Sequence, residues 1–337
     1  MIAERLAAQL LAGPPARDPV AVVERLLAVQ GQDGRGARLA VRARSTGLTA
    51  ADVDSAMTED RSLLITWLNR GTLHLVTRED YPWLHELTTP PLLTGNARRL
   101  TQEGVTPDAA ERGVEVIVRS VTDDGPLTRY QLRERVDRAG VRTEGQALVH
   151  MLLLASLRGL VVRGPMVGKQ HAYVLVRDWL GEVKPVPRER ALAELGRRYL
   201  VGHAPADAAD LAKWSGLPLR DARAALDSIA SEIEVRPDGL VSLAGRSPDA
   251  PPPRSRLLGP YDALLMGWRS REPILGRHDG AVVSGGLFRP FALVRGRGVA
   301  TWRLSSDSVE IDPFGRLSRE DRAALEADAE DVVRFLG

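Results

Sequence analysis

The feature that most restricts what this chain can become is a recurring pattern. Two short amphipathic helices are followed by a tight turn and two short alternating runs. The pattern is clearest over residues 204–245, where PADAADLAKWSGL ends at Gly216, the residue type that most readily closes a helix. PLRDARAALDSIA follows, with Leu219, Ala222, Leu226 and Ile229 on one helical face. EIEVR and LVSLAG then alternate about Pro237-Asp238-Gly239. Two helices, a turn and a β-hairpin constitute a winged helix.

The same order appears twice more. Over 126–177, Thr128 is placed to cap the helix RYQLRERVDRAG, Gly140 to stop it, and EGQALVHMLLLASLRG to form a second, apolar helix. LVVRGP and HAYVLVR then read as hairpin strands. Over 1–77, Asp18-Pro19 starts AVVERLLAV, GARLAVRARS and TAADVDSAM read as further helices, and SLLITWLNRGTLHLVT gives two strands about Asn69-Arg70-Gly71. Residues 78–122 read as helical connectors, and Pro248, Pro251, Pro252 and Pro253 mark a stiff linker over 246–255. Short β runs fill 256–316, interrupted by glycine and proline, before a closing acidic helix. The expected fold is therefore α+β: three tandem winged-helix units and a small C-terminal β-barrel. The boundaries fall at 1–122, 123–185, 186–247 and 248–337. Winged helices usually bind DNA, although they also dock proteins.

Composition narrows the chemistry. No apolar run reaches the ~18–20 residues that span a bilayer, and the N-terminal stretch carries Glu4 and Arg5, so it reads as an amphipathic helix rather than a secretion signal. A cytoplasmic, nucleoid-associated monomer with no membrane partner is expected. The absence of cysteine excludes disulfides and thiolate zinc. His74, His85, His150, His171, His203 and His278 form no zinc-protease pair, and no cofactor is implied. Net charge is only +2, but the only lysines are Lys169, Lys184 and Lys213, so the remaining side-chain cations other than histidine are arginine. Arginine suits phosphate and guanine edges; a GC-rich coding sequence produces the same bias.

Phosphate loops, dinucleotide fingerprints and nucleophile elbows are missing. The unusual segment is Leu27-Ala28-Val29-Gln30-Gly31-Gln32-Asp33-Gly34-Arg35, in which an apolar helix runs into two glutamines. If the backbone is extended, both amides point the same way and could hold a water or a polarised group. Taken alone, the segment also fits an ordinary polar helix end and loop, with Asp33 as a turn or cap residue.

LLAVQGQDGRGARLAVRARSTGLTAADVD and RSLLITWLNRGTLHLVTREDYPWL resemble the AlkZ-type winged-helix DNA glycosylases of bacteria, as do LLGPYDALLMGWRSR and GLFRPFALVRGRGVATWR. The resemblance runs in order along nearly the whole chain. It implies three winged helices in a C-shaped arrangement with a β-barrel, and a catalytic Gln-aliphatic-Gln or Gln-aliphatic-Asp signature. Here the signature falls on Gln30 and Gln32, the form associated with bulky adducts and crosslinks, with Gly31 departing from the aliphatic middle residue. The implied activity is monofunctional hydrolysis of the N-glycosidic bond of cationic alkylpurines, N7-alkylguanine above all, in double-stranded DNA. Gln30 and Gln32 would hold the attacking water. Asp33 and His74 are possible supports, His74 being equally a structural histidine. Arg269, Arg271, Arg289 and Arg303 are candidate phosphate contacts, each equally able to form a surface ion pair. Trp67 and Trp302 read as core. A non-enzymatic winged-helix regulator or damage binder, or a protein-docking scaffold, is the alternative; neither has need of a Gln-x-Gln loop.

Overall fold

The structure, a computed structural model, describes residues 1–182, 184–245, 251–305 and 308–337. The chain divides into two compact units, one formed by 1–53 with 192–337 and the other by 54–191. The first half of the expected proline linker, 246–250, lies outside the described residues.

In the 54–191 unit, strands Leu63–Trp67 and Leu73–Thr77 form the hairpin read from the sequence, turning through Asn69–Gly71. With Val161–Val167, Gln170–Leu175 and Leu127–Thr128 they make antiparallel pairs in the order 73–77, 63–67, 161–167, 170–175, 127–128. Every residue of the 63–67 and 73–77 strands is buried, so both faces of this hairpin are covered. Helix Arg129–Arg138 begins with a full capping box: the Thr128 hydroxyl receives the Gln131 N–H while Gln131 reaches back to the Thr128 N–H. Gly140, at φ +72°, follows its end. The connectors expected over 78–122 are the helices Tyr81–Thr88, Leu92–Gln102 and Pro107–Asp124.

In the other unit, Asp18 caps Pro19–Leu26. Helices Ala208–Ser215 and Leu219–Asp227 precede the hairpin Ile233–Val235/Val241–Leu243, as the spacing predicts. The C-terminal part departs from expectation. Its strands Ser308–Pro313, Arg297–Ser305, Phe291–Val294 and Arg256–Leu258 form an open antiparallel sheet in that order, and among the described residues no closed barrel is found. Two things prevent closure. The run RLLGPYDALLM leaves β structure after Leu258, and 263–282 forms short helical turns that cannot extend a ladder. The sheet's apolar side is meanwhile occupied by the helix Arg319–Leu336. Leu325 and Val332 from that helix, and Leu39 from Gly34–Arg42, pack with Leu257, Ala292, Val294, Ala300 and Trp302. Each such large side chain contributes roughly 1.5–3 kcal/mol by leaving water, so a helix replaces the strands that closure would need.

Candidate active site

Helix Pro19–Leu26 ends at Leu27, whose φ of +66° turns the chain into the two-residue strand Val29–Gln30. A non-glycine residue in this region is uncommon and persists only when its surroundings impose it. The next helix, Gly34–Arg42, starts only four residues after Gln30. The two glutamine side chains therefore meet: Gln30 Nε2 donates to Gln32 Oε1 at 3.2 Å. Gln30 is 7% exposed, whereas Gln32 is exposed. The Gln30 Oε1 is buried and accepts no hydrogen bond. Leaving such an acceptor empty costs about 1–3 kcal/mol. The Gln30 oxygen is thus a desolvated acceptor with an unused lone pair, covered by protein atoms.

Asp33 has a defined local role. Its Oδ1 accepts the Gly36 N–H at 2.5 Å and caps the Gly34–Arg42 helix, the turn-and-cap role open to it from the sequence. A cleft of about 530 Å³ runs along Asp33, Gly34 and Arg35, with Leu39, Pro260 and Trp302 among its other walls. Trp302 is 5% exposed and its Nε1–H donates to the Leu258 carbonyl, so it is core with one face on the cleft. Trp67, at 6%, is core.

His74 belongs to the 54–191 unit, on strand Leu73–Thr77 opposite Thr66. Its Nδ1 lies 2.9 Å from the Thr72 carbonyl, which can only accept, so that nitrogen carries the proton and Nε2 is left as an acceptor. Burial, reinforced by the nearby Arg70 cation and partly opposed by the Thr72 bond, lowers its pKa to about 3. The imidazole is neutral at physiological pH. In the same hairpin, the Thr66 hydroxyl and both amide atoms of Asn69 are buried without partners. The sequence marked Asn69 only as a turn residue, and no local pattern reveals that its amide is unpaired.

This burial has a consequence for stability. The folded His74 pKa lies below the ordinary value of 6.5, so the unfolded chain binds the extra proton first. Its contribution is fully present above about pH 6.5 and is lost as pH falls towards about 3. Urea unfolding between pH 7 and pH 4 is expected to show a loss approaching 1.4 kcal/mol per pH unit from this group. The slope should become shallower in His74→Phe; an unchanged slope would place the titration elsewhere.

Three of the four candidate phosphate arginines are already engaged. Arg269 pairs with Asp207 at 2.8 Å and Asp210 at 3.3 Å, and Arg271 with Asp279 at 2.8 Å. Arg303, 77% exposed, pairs with Glu310. The Arg289 side chain makes a 3.5 Å contact to the Ala281 carbonyl. Among the described residues, no helix is long and apolar enough to cross a membrane.

The family model for "DNA glycosylase AlkZ-like" matches residues 23–335. The chain belongs to the AlkZ-like DNA glycosylase family. An "Interstrand DNA cross-link repair glycosylase" of Streptomyces sahachiroi is 28% identical over 341 residues, covering 94% of this chain and 90% of the relative. The solved structure of the Streptomyces sahachiroi DNA glycosylase AlkZ superposes with a TM-score of 0.81 at 25% identity, over 99% of this chain and 95% of the other. This AlkZ-like chain is accordingly a DNA-binding repair enzyme, a DNA glycosylase, with the mixed helix and sheet architecture of that structure. A non-enzymatic regulator is not favoured.

Proposed function

We propose that the chain is a monofunctional glycosylase of the Gln-x-Gln kind, acting as a monomer on cationic alkylpurines in double-stranded DNA. N7-alkylguanine is its basic substrate, and bulky N7 adducts and interstrand crosslinks fall within its range. The observation that carries this reading is Gln30: nearly inaccessible, bonded to Gln32 through its nitrogen, with its oxygen unpaired. The name of the Streptomyces sahachiroi relative supports the crosslink range.

The chemistry matches what neutral amides supply. Alkylation at N7 gives the purine a positive charge, so the C1′–N9 bond breaks without an acid; its electron pair moves to N9 and neutralises the base. Water attacks C1′ and releases its proton to solvent. Once DNA binding displaces the atoms that cover it, Gln30 Oε1 accepts a hydrogen bond from that water and orients it, and the amide dipoles face the cationic sugar of the transition state. Positioning rather than proton removal is the contribution, since an amide is a poor base. Asp33 supports this by fixing the helix start. Neutral His74, which belongs to the 54–191 unit, supplies no acid. Gly31 gives the loop backbone freedom that an aliphatic residue would withhold.

The test is incubation with duplex DNA containing N7-methylguanine, analysed with and without mild alkali. Strand cleavage should appear only after alkali. Bifunctional enzymes form a Schiff base through an amine held in the site, and Lys169, Lys184 and Lys213 are all exposed. Borohydride should therefore trap no enzyme–DNA adduct. An adduct abolished by mutating one of these lysines would make the enzyme a lyase.

A further inference from the structure

We propose that residues 259–262 clamp the helix Gly34–Arg42 and thereby set the position of the glutamine loop, with Asp262 and Arg44 as positioning residues. The proposal rests on the assignment of the chemistry to Gln30 and Gln32. No role in the reaction follows from the LLGPYDALLM segment by composition alone, but its residues 259–262 lie against this one helix region.

The segment meets the helix region at three levels. Near its start, a Cβ on Gly36 would lie 2.6 Å from the Pro260 carbonyl oxygen, so the backbones touch where no other residue fits. At its middle, a Cβ on Gly259 would lie 2.9 Å from Leu39 Cβ. Just past its end, Arg44 grips Asp262 with both guanidinium nitrogens, at 2.8 and 2.9 Å. Both side chains are fully buried. Arg44 also bonds the Ala40 carbonyl and Gln9 Oε1, and Asp262 also receives the Leu264 N–H. Between the contacts, Tyr261 is held at φ +57°, a conformation that costs a non-glycine residue about 1–3 kcal/mol and persists only under constraint.

A buried ion pair is a weak source of stability, because apolar residues of similar volume commonly serve as well. What this pair adds is a fixed direction and register, since the planar guanidinium donates two parallel hydrogen bonds to the carboxylate. The register is transmitted directly. Gly36, pressed on Pro260, is the same residue whose N–H is held by Asp33, and Asp33 follows Gln32. A shift of Pro260 therefore moves the cap and the loop together. Displacements of about 1 Å at a reacting centre can cost about a hundredfold in rate.

The experiment uses the full chain carrying Arg44→Met with Asp262→Leu, which removes both charges and keeps the volume. Stability to urea, affinity for a duplex with N7-methylguanine, and the single-turnover rate at saturating enzyme are measured together. The expected result is cooperative unfolding, affinity within about threefold of wild type, and a rate about ten- to a hundredfold lower. Amide exchange over 30–36 should accelerate. Arg44→Lys, which keeps the charge but loses the fork, should fall between. A folded double variant reacting within threefold of the wild-type rate would overturn the proposal, as would losses of affinity and rate in equal proportion. Should the double variant not fold, Gly36→Ala disturbs the opposite end, and a folded Gly36→Ala enzyme with wild-type rate overturns it equally. Failure of the glutamine assignment is separable: Gln30→Ala and Gln32→Ala would then retain activity, while the exchange response of the clamp variants would persist.

Discussion

Gln30→Ala and Gln32→Ala are each expected to slow release of N7-methylguanine by about a hundredfold or more under single-turnover conditions, the scale set by removing a positioning or polarising group. Their costs in stability should differ from their costs in rate. Gln30→Ala removes an oxygen that has no partner in the folded protein, so the lost amide contact is partly offset by relief of that unpaired acceptor. Gln32 is exposed, and its replacement should change stability by no more than about 0.5 kcal/mol. Because Gln30 Nε2 bonds Gln32 Oε1, the two act as a unit, and the double variant should be little slower than the worse single one. Gln30→Glu is a sharper probe. A carboxylate cannot donate to Gln32, and its charge would be buried without a partner, so it should be impaired as severely as alanine. Rates within threefold of wild type for both alanine variants would remove the chemistry from this loop.

What could be read from the sequence follows the range of the forces involved. Helix caps act over three residues, and Asp18, Thr128 and the Asn69-Arg70-Gly71 turn were legible because their signals are local. The glutamine pair was legible only as a motif; two residues apart, the amides could be foreseen to meet, but the burial of Gln30 and the empty valence of its oxygen could not. Contacts between distant segments left no trace. Arg44 and Asp262 are 218 residues apart, and nothing in either neighbourhood announces the partner. The C-terminal sheet shows the same limit from the other side. Alternation in 256–316 identifies strands, but whether a sheet closes or is covered depends on which distant element fills its apolar face, here Leu325 and Val332 of the last helix. For the arginines, phosphate contact and surface ion pair stood equally open, and only the fold shows which carboxylates Arg269, Arg271 and Arg303 hold.

That pairing shapes how the enzyme should hold DNA. We propose that Arg269, Arg271, Arg289 and Arg303 contact phosphates; each contact then releases condensed counterions and contributes about −0.9 to the slope of log affinity against log salt. Four contacts predict a slope of about −3.6, or an affinity about 150-fold lower at 200 mM than at 50 mM salt. Three of these arginines must first exchange a carboxylate for a phosphate: Arg269 leaves Asp207 and Asp210, Arg271 leaves Asp279, and Arg303 leaves Glu310. The exchange is feasible for Arg303, whose exposed pair lies in water where such bonds are weak. It is harder for Arg269, because Asp210 is 7% exposed and also holds the Arg269 backbone N–H. The order of phosphate contribution should therefore be Arg303 before Arg269. Glu310→Gln removes both the competing partner and a like charge facing the DNA, so it should tighten binding by up to about fivefold. Arg303→Gln should weaken binding and flatten the slope by about one, for damaged and undamaged duplex alike, because a phosphate contact carries no sequence information. Fluorescence anisotropy across that salt range measures all three quantities. An affinity indifferent to salt, or Glu310→Gln weakening the complex, would move the DNA-contacting surface away from these residues.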